Sequence, residues 1–83
     1  SLIVPDKQME DFMFLLDFSP DGIEILNKDL KRGDRVRVIK GPLLGLEGEL
    51  VRLRGHKRVV IRLEGVASIA TSYIPGSFLE KIE

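Results

Sequence analysis

Gly33-Asp34-Arg35-Val36-Arg37-Val38-Ile39-Lys40-Gly41-Pro42-Leu43-Leu44-Gly45-Leu46-Glu47-Gly48 sets the period for the rest of the chain. From Arg35 to Val38 charged and apolar residues alternate with a period of two, the pattern of a strand buried on one face. Val36 and Val38 therefore face a core, and Arg35 and Arg37 face away from it. Gly33-Asp34 makes the opening turn. Gly41-Pro42 ends the strand, because proline has no N–H to give and glycine accepts backbone angles closed to other residues. A loop runs from there to Gly48, and Gly41 and Gly48 free the backbone where it leaves and rejoins the sheet.

Toward the C-terminus the strand signal continues. Glu49 to Arg54 is the next predicted strand, although Leu50 and Leu53 stand three apart rather than two. Either Val51 is the inward residue or a bulge turns both leucines to the core. Arg54-Gly55-His56-Lys57 reads as a hairpin turn with Gly55 at positive φ. Arg58-Val59-Val60-Ile61-Arg62-Leu63 is the most β-branched run in the chain. Glu64-Gly65 turns again, and Ala67 to Tyr73 forms a fourth strand with Ile69 and Thr71 on alternating positions. Pro75-Gly76-Ser77 forces a further turn, a 3₁₀ turn being one form of it, and Phe78 to Ile82 closes the set. Five short strands with glycine turns at this density predict an all-β fold, a small five-stranded barrel.

Upstream the period is helical. Met9, Phe12, Met13 and Leu16 recur on one face and predict a helix over about residues 6–17. Asp6, just after Pro5, is the expected N-cap, and Glu10 and Asp11 sit near the positive end of the helix dipole. Ser19-Pro20-Asp21-Gly22 stops the helix. Phe12-Met13-Phe14-Leu15-Leu16 is apolar on more than one side, which calls for burial on several faces. A helix that belongs to a larger domain is the first reading and a partner-binding helix the second. The first predicts docking on the barrel or self-association through an exposed apolar patch. Ile23-Glu24-Ile25-Leu26 reads equally as a short strand or an extended linker.

Eighty-three residues make one small domain, or one domain with an appendage. The absence of cysteine excludes disulfides, thiol nucleophiles and sulfur-ligated zinc. A single histidine, His56, makes a transition-metal site improbable; at a hairpin tip among basic residues it is expected to be solvent-exposed. Tyr73 is expected to pack on the barrel. No Ser-His-acid set is present, and Gly41-Pro42-Leu43-Leu44-Gly45 lacks the Gly-Lys-Ser/Thr ending of a phosphate loop. No catalytic residue, metal or cofactor is expected. No apolar run is long enough to span a bilayer, and Ser1-Leu2-Ile3-Val4-Pro5 is no signal peptide, so a cytoplasmic location is expected without membrane contact. With no initiator Met, the chain is expected to be a piece of a longer protein.

The zero net charge conceals a partition. Residues 1–30 hold two basic against seven acidic side chains, a net −5; residues 31–62 hold ten against three, a net +7; residues 63–83 hold one against three, a net −2. A basic centre between acidic flanks favours a polyanionic or acidic partner. It equally suits strands whose outer faces are solvated.

The stretch from Gly33 to Gly48 closely resembles the KOW motif, which joins a G-D-x-V-x-V strand to a G-P-x-x-G-x-x-G loop. The similarity continues through Val59-Val60-Ile61 and Phe78-Leu79-Glu80-Lys81-Ile82. It implies a helix and linker over residues 1–29, a remnant of a NusG N-terminal domain, and a KOW domain over 30–83 with a five-stranded SH3-like barrel. The string from Ile3 to Leu53 is similar to NusG-like antitermination factors, in particular the UpxY-type paralogues of Bacteroides-like bacteria.

The resemblance implies a transcription elongation or antitermination factor that is not an enzyme. Its RNA polymerase contact is made through the N-terminal domain. The barrel docks a small-subunit ribosomal protein or Rho through Leu43, Leu44 and Leu46 in one loop and Leu63, Gly65 and Val66 in another. Leucine stands in the first loop where that family usually carries aromatic residues. Three leucines in a glycine-flanked loop suit a binding surface; capping of the core by one or two of them is the alternative. At least one is expected buried and one exposed. The second function class is weak RNA binding by a KOW module of ribosomal type, along Arg35, Arg37, Arg52, Arg54, Lys57, Arg58 and Arg62. No aromatic residue interleaves with these cations in the sequence, so no base-stacking platform is legible. A helical alternative form, as in RfaH-like relatives, is opposed by the β-branching of residues 59–61.

Overall fold

The computed structural model describes residues 6–18, 24–26, 32–63 and 67–82. One helix, α1 (Asp6–Phe18), precedes six strands: β1 (Glu24–Leu26), β2 (Asp34–Val38), β3 (Glu47–Leu53), β4 (His56–Leu63), β5 (Ala67–Ala70) and β6 (Leu79–Lys81). A 3₁₀ turn at Gly76–Phe78 leads into β6. The strands pair antiparallel in one sheet of order β1-β5-β4-β3-β2-β6. The fold is mostly β with one N-terminal helix, as expected. The sheet has six strands rather than five, however, and it is not closed, since β1 and β6 form its two edges. The added strand is β1, where Glu24 lies opposite Ala70 and Leu26 opposite Ser68. The expected turns at Ser19–Gly22 and Glu64-Gly65 lie outside the described residues, as does the side chain of the expected cap, Asp6.

The register between β3 and its two neighbours is unbroken, from Asp34 opposite Leu50 to Arg37 opposite Glu47, and from Glu49 opposite Val60 to Leu53 opposite His56. Neither sequence reading of Leu50 and Leu53 therefore holds. With no bulge in these pairs, the two leucines face opposite sides. Leu50 packs against the main core, while Val51 and Leu53 pack with Leu26, Val60 and Ala70 in a second cluster. Both faces of this sheet carry apolar residues, and a reading that assumes one wet face misplaces Leu53.

Two glycine assignments are sharpened. Gly41 has φ +86°, as a loop glycine should. Gly48 sits inside β3 and is required for space: a Cβ there would stand 2.5 Å from the Val60 carbonyl oxygen and 2.8 Å from a Val59 methyl. The β3–β4 turn is Arg54-Gly55, with φ +52° and +82°. Two residues at positive φ give the twist that a tight hairpin needs. From this turn the Arg54 side chain makes a bidentate bond to Glu24 of β1, 3.0 Å on each oxygen.

β5 ends at Ala70 rather than Tyr73. Beyond it the side chain of Thr71 accepts the Val59 N–H, and Arg58 donates to the Thr71 carbonyl. These side-chain bonds displace a regular ladder. The chain nevertheless continues along β4, because Thr71 and Ile74 donate their N–H groups to the carbonyls of Val59 and Lys57. It then turns at Gly76–Phe78 and pairs with β2.

The main core joins Val36, Val38, Leu46, Val59, Ile61, Leu63, Ile69 and Ile74 with Phe12 and Leu15 of α1. Residues on both sides of the expected boundary at 29/30 thus share one core. Polar contacts fix the helix as well. The buried Asp11 accepts the Glu47 N–H at 3.1 Å and pairs with Lys7 at 2.9 Å, Lys7 donates to the Gly45 carbonyl, and Gln8 donates to the Arg62 carbonyl. The rest of the apolar surface of α1 stays exposed at Met9, Met13, Phe14 and Phe18, the two phenylalanine rings stacked 5.9 Å apart. No helix among the described residues is long and apolar enough to cross a membrane.

If α1 is part of the folding unit, Leu15→Ala lowers the stability of the whole domain by about 2–5 kcal/mol, whereas Met13→Ala changes it by less than about 0.5 kcal/mol. Urea denaturation followed by both helix-sensitive circular dichroism and sheet-core NMR signals measures this. A helix that melts separately, leaving the sheet transition unmoved, contradicts it.

Candidate functional site

The loop after β2 is tight and hydrogen-bonded. Gly45 donates to Val38, Val38 to Leu46, Leu46 to Leu43 and Leu44 to Gly41, at 2.8 to 3.2 Å. This geometry separates the three leucines. Leu46 is buried in the core, Leu43 is half-buried against it, and Leu44 is 67% exposed at the turn. The expectation of one buried and one exposed leucine therefore holds. Leu63 is a core residue at 4% exposure and, like Leu46, presents no surface for contact. Leu63 is the last residue of β4, and Leu46, just before β3, is turned inward by its backbone bonds to Leu43 and Val38. Gly65 and Val66 lie outside the described residues.

Leu43 opens onto an apolar groove of about 170 Å³ whose other walls include Phe18, Pro42, Tyr73, Ile74 and Phe78. The Phe78 ring packs against the loop at Gly41, where a Cβ would approach it to 2.9 Å. Three separate segments build this groove: the end of α1, the β2–β3 loop and the stretch leading into β6. Sequence reasoning found Leu43 and Leu44 but not Phe18, Ile74 or Phe78 as their neighbours. No periodicity connects residues so far apart in the chain. Tyr73, expected to pack on the barrel, is 55% exposed at the rim.

The seven cations of the second reading do not form one free basic face. Arg62 pairs with Glu49 at 3.1 Å, and Arg37 pairs with Glu47 at 3.2 Å and Glu80 at 4.0 Å. Arg54 and Arg58 share Glu24 at 3.0 and 3.1 Å. Arg35, Arg52 and Lys57 have no carboxylate partner among the described residues. The charge partition of the sequence resolves in part into cross-strand pairs, with Glu24 from the acidic flank bridging two arginines of the basic centre. His56 is exposed, as expected. Among the described residues no three acidic or histidine side chains converge to hold a metal ion.

Among the described residues, Glu49 is the most deeply buried charged group, at 5% exposure. Burial alone would push its carboxyl up. The opposing contacts prevail: hydrogen bonds from Arg62 and the Gly33 N–H, and the charges of Arg62 and Arg32, hold it below the ordinary carboxylate range. Its role is structural, since it joins the start of β2 to β3 and β4. Gly33 lies so close to the Leu50 carbonyl that no side chain fits there, which brings its N–H within reach of Glu49.

No family model, curated protein or solved structure matches the chain.

Because the folded-state pKa of Glu49 lies below that of the unfolded chain, its stabilising contribution is present above the unfolded value of about 4.3. It is lost as pH falls through the lower folded value. Urea midpoints recorded from pH 7 to pH 2.5 should therefore drop in the acid range. Glu49→Gln should lower the midpoint at pH 7 and flatten that drop, since a glutamine cannot neutralise Arg62. An unchanged acid profile in the variant would assign the pH dependence to other carboxylates.

Proposed function

We propose that this chain is a non-catalytic protein-docking module of KOW type from a NusG-like transcription elongation or antitermination factor. The Gly33–Gly48 motif supports the family reading. So does the order of the last five strands, β6-β2-β3-β4-β5, with a 3₁₀ turn before the final one, which suits a small SH3-like barrel. The observation that carries the docking function is the apolar groove beside Leu43, with Leu44 standing 67% exposed next to it. An exposed leucine at the tip of a hydrogen-bonded loop gains free energy only when a partner covers it, and a preformed loop loses little entropy on binding. The partner is a small-subunit ribosomal protein or Rho, while polymerase is held by a separate domain of the same factor.

Titrating the ¹⁵N-labelled chain with the ribosomal protein, and separately with Rho, tests this reading. Amide shifts are expected to cluster at Leu43, Leu44 and Phe78. Leu44→Asp should weaken binding at least about tenfold, as for a contact residue at an interface centre, with no loss of folding because the side chain is exposed. Shifts confined to α1, or none with either protein, would count against it.

A further inference from the structure

We propose that a cleft at the β3–β4 hairpin binds single-stranded nucleic acid, with Tyr73 as a base-stacking platform and Arg52 and Lys57 as phosphate contacts. The cleft is a shallow, open one of about 490 Å³ lined by Arg52, Gly55, His56, Lys57, Tyr73 and Gly76. This site goes beyond the docking groove and rests on different residues, although Tyr73 forms part of the rim of both.

The tertiary fold supplies what the linear sequence lacked. The cations of the basic centre have no aromatic residue among them in the sequence, yet Tyr73 arrives from the segment after β5. Ile74 donates its N–H to the Lys57 carbonyl, which fixes that segment against the start of β4. The Tyr73 and His56 ring centroids lie 5.5 Å apart at an interplanar angle of 61°. The rings meet edge-on and do not cover each other face to face, and Tyr73 remains 55% exposed. An aromatic ring more than half exposed beside cations is the arrangement on which an unpaired base stacks.

The cations here differ from the other basic residues of the face. Arg37, Arg54, Arg58 and Arg62 are occupied by carboxylates. Arg52 is exposed and donates one N–H to the Gly55 carbonyl at 3.2 Å. Lys57 is exposed, and no acidic side chain lines the cleft. Two cations that face each other across the hairpin, with no carboxylate partner among the described residues, attract a polyanion. An acidic peptide would satisfy the charges and leave the ring face unused. A nucleotide satisfies both, because its phosphate and base are carried on one unit.

Fluorescence anisotropy of a labelled single-stranded 12-mer RNA, titrated with the whole chain at 50 and 200 mM salt, tests the assignment. Two phosphate contacts at about −0.7 each on single strands give a slope of about −1.4, so affinity should fall roughly sevenfold between those salts. The double variant Arg52→Gln, Lys57→Gln should lose most of that salt dependence. Tyr73→Ala should weaken binding about five- to hundredfold with the slope retained. All three side chains are exposed, and an unchanged ¹H–¹⁵N spectrum verifies folding. A blunt RNA duplex, whose bases are already stacked, should bind more weakly than the single strand. The proposal is overturned if RNA does not bind, or if the variants bind as the parent chain does. It is also overturned if the duplex, inorganic polyphosphate or a polyglutamate peptide binds as tightly as the single strand.

Discussion

The carboxylate of Glu49 lies almost wholly inside the protein, on the outer side of a sheet whose inner side forms the main core. It accepts the N–H of Gly33 just before β2, belongs to β3, and takes two donors of Arg62 from β4. Three successive segments are thereby locked at one level. A buried acid is costly unless charge and hydrogen bonds compensate it, so this register is enforced more strictly than apolar packing alone would enforce it. Glycine at positions 33 and 48 is the steric counterpart. Side chains there would collide with the carbonyls of Leu50 and Val60, and the strands could not approach closely enough for Glu49 to be satisfied.

Once β2, β3 and β4 are locked, the remaining elements have defined places. Glu24 brings β1 to the hairpin turn through Arg54 and to β4 through Arg58, while Thr71 ends the β5 ladder and steers the chain back along β4. Helix α1 fills the remaining core volume with Phe12 and Leu15, and Asp11 reads the first N–H of β3. A helix recognised by a specific backbone donor, and not only by apolar contact, has one seating on the sheet. What remains apolar and exposed on it, at Met13, Phe14 and Phe18, is the part this sheet does not cover.

Much of the strand pattern was legible because alternation over short runs reports burial directly. Val36, Val38, Val59, Ile61 and Ile69 all face the main core, and the helix ended within a residue of its expected place. The failures have a common origin. Leu53, the end of β5 and the exposure of Tyr73 each depend on what a distant segment does: a second apolar cluster on the outer face, a threonine side chain that takes a backbone donor, and a turn that lifts a ring beside His56. Periodicity along the chain carries no information about such encounters.

The candidate sites divide in the same way. The sequence alone determined the β-rich character, the helix, the absence of thiol chemistry and a glycine-flanked loop of three leucines, of which one would be buried and one exposed; that Leu44 is the exposed one was decided by the hydrogen bonds of the folded loop. Only the tertiary structure decided that β1 joins the sheet as a sixth strand, that Glu24, Glu47 and Glu49 pair with four of the seven cations, and that Tyr73 lines one cleft with Arg52 and Lys57. The physical reason is that residue type and spacing fix local conformation and the face of each strand. Which charges remain unpaired, and which rings stand beside them, is settled by contacts between segments that lie far apart in the chain.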